Sequence, residues 1–128
     1  MKAVVLPQRL ARCSLALAAV LLAACGPQDV SFKADVLPIL QQHCQECHRQ
    51  GGEGQQKSGL LLTDYAGLMQ GTRFGPVVKP GDSLTSTLTM LIEGRADPSI
   101  KMPHGKKALA QKEIELVRRW VEQGAKNN

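Results

Sequence analysis

Apolar residues recur every three or four positions along three stretches of the chain, the spacing that places them on one face of an α-helix. The first of these helices is predicted to begin near Asp35, which can cap it. Pro38 falls in its first turn, where a missing N–H breaks no hydrogen bond. The apolar stripe of this helix consists of Val36, Leu40, Cys44 and Cys47. The stripe ends on two cysteines, so the helix would present two thiols on one face.

Two later helices are predicted in the same way. One runs from Asp82 or Ser83 to Gly94, and the other spans residues 111–123 before Gly124, which would be its C-cap. Their apolar faces comprise Leu84, Leu88, Leu91 and Ile92 in the first, and Ile114, Val117, Trp120 and Val121 in the second. No stretch alternates as a strand would, and no repeat is present. The fold class is therefore predicted to be all-α.

The segments between these helices contain Gly and Pro at short intervals. Residues 50–58, rich in Gly, Gln and charge, are predicted to form an exposed loop. A brief helix capped by Thr63–Asp64 is expected to end at Gly71. Residues 73–82 should form turns, and residues 95–107, which have no apolar period, should lie extended.

The first 24 residues form a different kind of segment, a basic start followed by an apolar run and small residues. This pattern is typical of an export signal, and the run stops short of the about 20 apolar residues that a membrane-spanning helix needs. Residues 22–25, Leu-Ala-Ala-Cys, resemble the lipobox of bacterial lipoproteins, in which the cysteine becomes the lipid-bearing first residue of the mature chain. Ordinary cleavage before Cys25 would place Leu22 where a small residue is preferred, which favours the lipoprotein interpretation.

This interpretation predicts a signal peptide over residues 1–24, a lipid anchor and tether over 25–31, and a folded domain over 32–128. The six residues after Cys25 would span at most roughly 20 Å, at about 3.3–3.6 Å per residue, so the domain would stay near the membrane. The expected location is the periplasmic side of a bacterial membrane. The alternative is a soluble periplasmic protein, cleaved slightly further along the chain.

Much of the formal charge of +5 belongs to the predicted signal. Three of the 16 basic residues, Lys2, Arg9 and Arg12, lie in it, whereas all 11 acidic residues follow it. The remaining chain therefore has 13 basic against 11 acidic side chains. Its few aromatic side chains cannot build a stacking platform for bases. Nucleic acid is not an expected partner.

Cys44, Cys47 and His48 form the motif Cys-x-x-Cys-His, the spacing at which two thiols bond covalently to a haem and the histidine reaches the iron. Residues three apart share a helix face, so both thiols can reach one edge of a flat macrocycle. A small domain with few aromatic residues also has a thin core, which a covalent haem would complete. The side chains expected to pack on the haem are Leu60, Leu61, Val77, Val78, Leu88 and Leu91.

Two other uses of these side chains remain open. A Cys44–Cys47 disulfide of the thioredoxin type would be expected beside a βαβ pattern, and no strand-rich segment flanks this motif. A zinc ion could be bound by Cys44, Cys47, His48 and His104, but structural zinc sites usually take paired ligands from two knuckles. Neither alternative fits the pattern as well as haem attachment does.

The sixth ligand of a haem iron would decide between electron transfer and catalysis, because an open position binds small molecules. The candidates are Met69, Met90, Met102, His43 and His104. Met69 and Met90 lie in predicted helices and are expected in the core, and His43 is expected at the haem edge or the surface. Met102 precedes a proline in the extended segment, where its side chain can be presented inward, and His104 is its competitor.

A set of residues beginning at Phe32 extends this motif over nearly the whole expected domain. The set comprises Phe32, residues 35–40, Cys44, Cys47, His48, Gly59-Leu60, residues 75–84, Met102-Pro103, Glu113-Ile114, Trp120-Val121 and Gly124-Ala125. It resembles the class I c-type cytochromes, and among them the planctomycete-type cytochrome c domains. Ala110 departs from the pattern, since relatives commonly have a serine there that caps the last helix.

The resemblance implies a small class I cytochrome c fold, whose N- and C-terminal helices pack across each other around one covalent haem. It implies thioether bonds at Cys44 and Cys47, iron ligation by His48 and Met102, and haem attachment by the cytochrome c maturation machinery. The expected function is a membrane-anchored periplasmic electron carrier and not an enzyme. The alternative is a haem enzyme subunit, or a gas or redox sensor, with a displaceable sixth ligand. The sequence names no carbonyl partner for the second ring nitrogen of His48.

Lys101, Lys106 and Lys107 flank Met102, and no acidic residue lies between Ser99 and Gln111. These lysines predict redox partner proteins with an acidic surface, which they would steer toward the haem edge. A plain solvated loop explains the same residues equally well.

Overall fold

Six short α-helices, a π-helical turn and a 3₁₀ turn form the regular structure of residues 28–128, the part of the chain that the computed structural model describes. The α-helices are α1 (Leu37–His43), α2 (Gln45–His48), α3 (Glu53–Ser58), α4 (Tyr65–Gln70), α5 (Thr87–Ile92) and α6 (Gln111–Glu122). The 3₁₀ turn, Pro98–Ile100, interrupts the segment that was predicted to lie extended. Within these residues an isolated bridge between Thr72 and Gly75 is the only strand-like pairing, so the all-α prediction is confirmed. No helix in this part of the chain is long and apolar enough to cross a membrane. The predicted signal peptide and Cys25 lie outside the described residues.

The first helical segment begins earlier than predicted, with a π-helical turn over Phe32–Val36 that continues into α1. Ser31, not Asp35, is its N-cap: the Ser31 hydroxyl accepts a hydrogen bond from the Ala34 N–H at 3.1 Å. The Asp35 carboxylate in turn accepts a hydrogen bond from the Ser31 N–H at 2.8 Å. Such a reciprocal pair satisfies two N–H groups at the helix start. Pro38 lies in the first turn of α1 without ending it, as expected.

The last helix packs against this first segment through aromatic side chains. Trp120 of α6 is fully buried, and its ring centroid lies 5.5 Å from that of Phe32. Tyr65 completes the cluster edge-on to both rings, and its hydroxyl donates to the Ala125 carbonyl at 2.8 Å. The N- and C-terminal helices are therefore joined in one core, as the fold prediction requires.

Helix α5 is shorter than predicted, because its expected first turn is a separate polar turn. The helix begins at Thr87 after the N-cap Ser86, and Leu84 is 71% exposed instead of lying on the apolar face. The Asp82 carboxylate accepts from the Thr85 N–H at 3.0 Å, and the Ser86 hydroxyl donates to the Asp82 carbonyl at 2.7 Å. These side-chain bonds to nearby backbone compete with helix formation over residues 82–85.

Residues 50–58 are not the exposed loop that their composition predicted, because they contain helix α3. Gly52 precedes the helix in an extended conformation, and Gly59 ends it with φ +82°, a conformation that favours glycine. On its solvent side Lys57 contacts Glu53 at 2.6 Å, one turn earlier. The composition suggested a loop because α3 buries no residue fully and has no apolar stripe.

Residues 28–31, expected to belong to a tether, lie against the C-terminal end of α6. The Gln123 side chain accepts from the Val30 N–H at 2.7 Å and donates to the Gln28 carbonyl at 3.3 Å. Lys126 contacts Asp29 at 2.9 Å, and Val30 is buried. We call residues 28–31 the N-terminal strap, since they are packed on the domain and join it before the first helix.

Candidate functional site

An apolar cavity with about 650 Å³ of empty space, including the space at its mouth, lies among α1, α2, α5 and the segment that follows α5. Its lining includes Cys44, Cys47, His48 and Met102, the four residues predicted to hold a haem. The structure therefore brings together side chains that are up to 58 positions apart in the sequence. Lys106 and His104 also line the cavity, and both are exposed.

His48 is held in the cavity wall through its other ring nitrogen. Nδ1 lies 3.3 Å from the Leu60 carbonyl oxygen, which can only accept, so Nδ1 carries the proton and Nε2 has the lone pair. Burial lowers the pKa of His48, and the bond to Leu60 acts in the opposite direction. A neutral imidazole with a bound Nδ1–H is the form that ligates a metal through Nε2. Leu60 thus supplies the carbonyl partner that the sequence did not name.

Helices α1 and α2 are separated by Cys44, which belongs to neither helix, whereas Cys47 lies within α2. Both thiols are free, and the His48 N–H bonds to the Cys44 carbonyl at 3.0 Å, which keeps the motif compact. Burial raises the pKa of the Cys44 thiol to about 11, with Cys47 acting in the same direction and Lys106 against it. Reactive cysteines of redox enzymes have a lowered pKa, so Cys44 has the opposite character.

Of the candidates for the sixth ligand, Met102 lines the cavity whereas Met69 and Met90 do not. Met102 is half-buried, and its N–H donates to the Leu91 carbonyl at 3.3 Å, which ties it to α5. His104 also lines the cavity but is exposed. His43 lines it too, and its Nε2 lies 3.1 Å from the Glu113 carboxylate.

The apolar wall differs in part from the predicted one. Leu60, Val77, Leu88 and Leu91 line the cavity as expected, but Leu61 and Val78 do not, and Leu62 and Ile92 do. Residues 60–62 lie outside the helices, and Leu60 and Leu62 are buried while Leu61 is half-exposed. This is the alternation of extended chain, in which every second side chain faces the same way. Val77 lines the cavity and its neighbour Val78 does not, so a period of two would have distinguished the lining residues of these two segments, though not those of α5.

These residues fit a covalently bound haem. Six aliphatic side chains line the wall, two free thiols lie at the attachment spacing, and a neutral imidazole has a nitrogen available. Zinc fits less well, since residues 28–128 contain no group of three or more His, Cys, Asp or Glu placed to hold a metal ion.

Residues 44–104 match the family model described as planctomycete cytochrome C, a segment that begins at Cys44 and includes His48 and Met102. The chain carries a planctomycete-type cytochrome c domain. This c-type cytochrome is a haem protein, and the family implies that its haem is covalently bound, with Cys44 and Cys47 at the positions of the attachment motif. No curated protein and no solved structure matches the chain.

Proposed function

We propose that this cytochrome relays single electrons between redox partners through one haem, joined to Cys44 and Cys47 by thioethers and ligated by His48 and Met102. The observation that carries the proposal is that these four side chains line one apolar cavity and that the other two described methionines do not. When bound, the haem iron supplies the one-electron chemistry. The protein supplies the ligands and excludes water with its apolar wall.

The ligand pair favours electron transfer over catalysis. A thioether ligand favours the reduced iron, and two protein ligands leave no position for a substrate. The backbone bond from Met102 to Leu91 anchors the loop that presents the thioether, so the ligand would stay in place in both oxidation states. A haem enzyme or gas sensor would instead need Met102 to be displaced.

The test compares oxidised wild type with the Met102→Ala variant. Wild type should show the weak red-end absorption band that methionine ligation of ferric haem gives, and Met102→Ala should lose it and bind cyanide rapidly. Met90→Ala is the control, because Met90 is half-buried away from the cavity, and it should keep the band. If the band survives in Met102→Ala, or if wild type itself binds cyanide or CO rapidly, the assignment of the ligand or of the function is wrong. A pyridine haemochrome spectrum reports the covalent haem independently.

We also propose that Lys101, Lys106 and Lys107 guide an acidic redox partner to the cavity mouth. Lys106 lines that mouth and is paired with Glu46, whereas Lys101 and Lys107 are exposed on the same segment. Reversing the charge of Lys101 or of Lys107, each in a single variant, should slow electron exchange with the anionic reagent hexacyanoferrate and weaken its salt dependence. The matched control is Lys33→Glu in the first helical turn. An equal effect in that variant would show that the lysines near Met102 act only through the net charge of the protein.

We propose in addition that Cys25 carries a lipid anchor and that the cytochrome lies in the periplasm. The maturation machinery of that compartment would attach the haem. Because the strap begins at Gln28, three Cα steps separate Cys25 from the packed domain, which is at most about 11 Å. Cys25→Ser should move the cytochrome from the membrane fraction to the soluble periplasm and stop the incorporation of labelled fatty acid. A wild-type protein that is already soluble would favour the alternative of ordinary signal cleavage.

A further inference from the structure

Helix α3 packs beside the cysteine-histidine motif although it contributes nothing to the apolar core. None of its residues is fully buried, and its Glu53–Lys57 pair faces solvent. The helix nevertheless packs on α2, which ends at His48. Burial of apolar surface does not explain this position, so its polar and backbone contacts with the motif have to be considered.

We propose that Gly54 and Ser58 of α3 are positioning residues for the His48 imidazole and that they tune the reduction potential of the cytochrome. The proposal rests on the proposed ligation of the iron by His48. Neither residue belongs to the predicted ligand set, and both lie in the segment that composition assigned to an exposed loop.

Gly54 allows the backbone of α3 to lie directly against the imidazole. A Cβ atom at position 54 would be 2.8 Å from Cε1 and 2.9 Å from Nε2 of His48, closer than carbon atoms approach without displacement. Any side chain at this position would therefore move either the ring or the helix. Glycine is a weaker helix former than alanine, which makes its presence in the first turn of α3 informative.

Ser58 connects that contact to the carbonyl that holds the ring. Its hydroxyl donates to the Gly54 carbonyl at 2.6 Å and accepts from the Leu60 N–H at 3.1 Å. The Leu60 carbonyl in turn accepts from His48 Nδ1. One hydroxyl thus joins the backbone that touches one side of the ring to the backbone that binds its Nδ1, and we call Gly54, Ser58 and Leu60 the imidazole bracket.

The bracket has a predictable electronic effect. A hydrogen bond from Nδ1–H to a carbonyl makes the imidazole a stronger electron donor, which stabilises the oxidised iron. If Ser58 no longer fixes Leu60, the bond from Nδ1, already long at 3.3 Å, should weaken. The reduction potential should then rise.

The experiment measures the midpoint potential and the exchange rate of the His48 Nδ1 proton, by NMR of the reduced holoprotein, in four variants. Ser58→Ala should raise the potential by up to about 59 mV, which is a tenfold change for a one-electron couple, and should speed the exchange. Ser58→Thr keeps the hydroxyl and should behave as wild type does. Lys57→Ala, on the solvent side of the same helix, removes the pair with Glu53 and should change neither quantity.

Gly54→Ala tests the contact of α3 with the His48 imidazole independently of Ser58. The added Cβ should displace the His48 ring or the helix, so the potential should rise and the Nδ1 proton should exchange faster although alanine favours a helix more than glycine does. A merely structural role for α3 predicts no such combination.

Two results would overturn the inference while leaving the proposed function intact: unchanged potential and exchange in both Ser58→Ala and Gly54→Ala, or an equal shift in Lys57→Ala. A reduced wild type whose His48 ring signals lack the shifts caused by haem ligation would instead contradict the proposed function itself.

Discussion

His43 Nε2 and a Glu113 carboxylate oxygen lie 3.1 Å apart and join the last turn of α1 to the first turn of α6. The other oxygen of Glu113 accepts from the Ala110 N–H at 2.8 Å. Ala110 has no side-chain oxygen to accept from the first N–H groups of α6, so of the two bonds of a capping box only the one that Glu113 accepts is present. One carboxylate therefore binds the backbone at the start of the last helix and also holds that helix beside the helix that precedes the Cys-x-x-Cys-His motif.

Replacing Glu113 with alanine should lower the free energy of unfolding by about 1 kcal/mol, the typical effect of losing a helix cap. Urea denaturation followed by circular dichroism measures it. Glu115→Ala, on an exposed position of the same helix, is the control and should stay within about 0.5 kcal/mol of wild type. Equal losses in the two variants would show that Glu113 acts only through helix propensity.

The same carboxylate should make stability depend on pH in the acid range. The bond from the Ala110 N–H, followed by the contact with His43, lowers the pKa of Glu113 below its ordinary value of 4.5. A lowered carboxyl pKa contributes stability that is complete above the ordinary value and is lost as the pH falls through the lowered one. The difference in unfolding free energy between wild type and Glu113→Gln should therefore shrink below pH 4.5. A difference that stays constant down to acid unfolding would contradict the shift.

The alternation of residues 60–62 predicts unequal effects of two neighbouring leucines. Leu62 is buried and lines the cavity, so Leu62→Ala should cost about 2–5 kcal/mol of stability and loosen the packing around the cavity. Leu61 is half-exposed and does not line the cavity, so Leu61→Ala should cost clearly less. Thermal denaturation of the two holoproteins compares them directly, and similar losses would mean that the segment does not alternate.

The strap predicts a local effect of Gln123. Gln123→Ala removes both hydrogen bonds to residues 28 and 30, at about 0.5–1.5 kcal/mol for each. The amide of Val30 should then exchange faster with solvent deuterium, while the amide of Trp120 keeps its protection. Gln111→Ala at the other end of α6 is the control. Unchanged exchange at Val30 would mean that other contacts hold the strap.

The parts of this protein that were predictable from sequence are those whose signals are local. Helix α4 begins after Asp64, whose carboxylate accepts from the Gly67 N–H, and stops at Gly71, as the cap and the glycine indicated. The spacing of apolar residues likewise predicted α6.

The unpredicted parts depend on contacts between distant residues or on backbone atoms. Helix α3 has no apolar face to detect, because its position relates to the His48 ring and not to the core. The Leu60 carbonyl lies 12 residues from His48, and every residue type carries a carbonyl, so side-chain patterns give no cue. The strap depends on Gln123, more than 90 residues away, which no local pattern connects to Val30.

The packed strap also bears on how the cytochrome would meet its partners. With a lipid on Cys25, as proposed, the link between the lipid and the domain would be no longer than the radius of the domain. The domain would therefore stay at the membrane surface instead of diffusing through the periplasm. Encounters would then be governed by two-dimensional diffusion along the bilayer. A donor or acceptor would have to present its redox centre within roughly 45 Å of the lipid surface, the link and the domain diameter together.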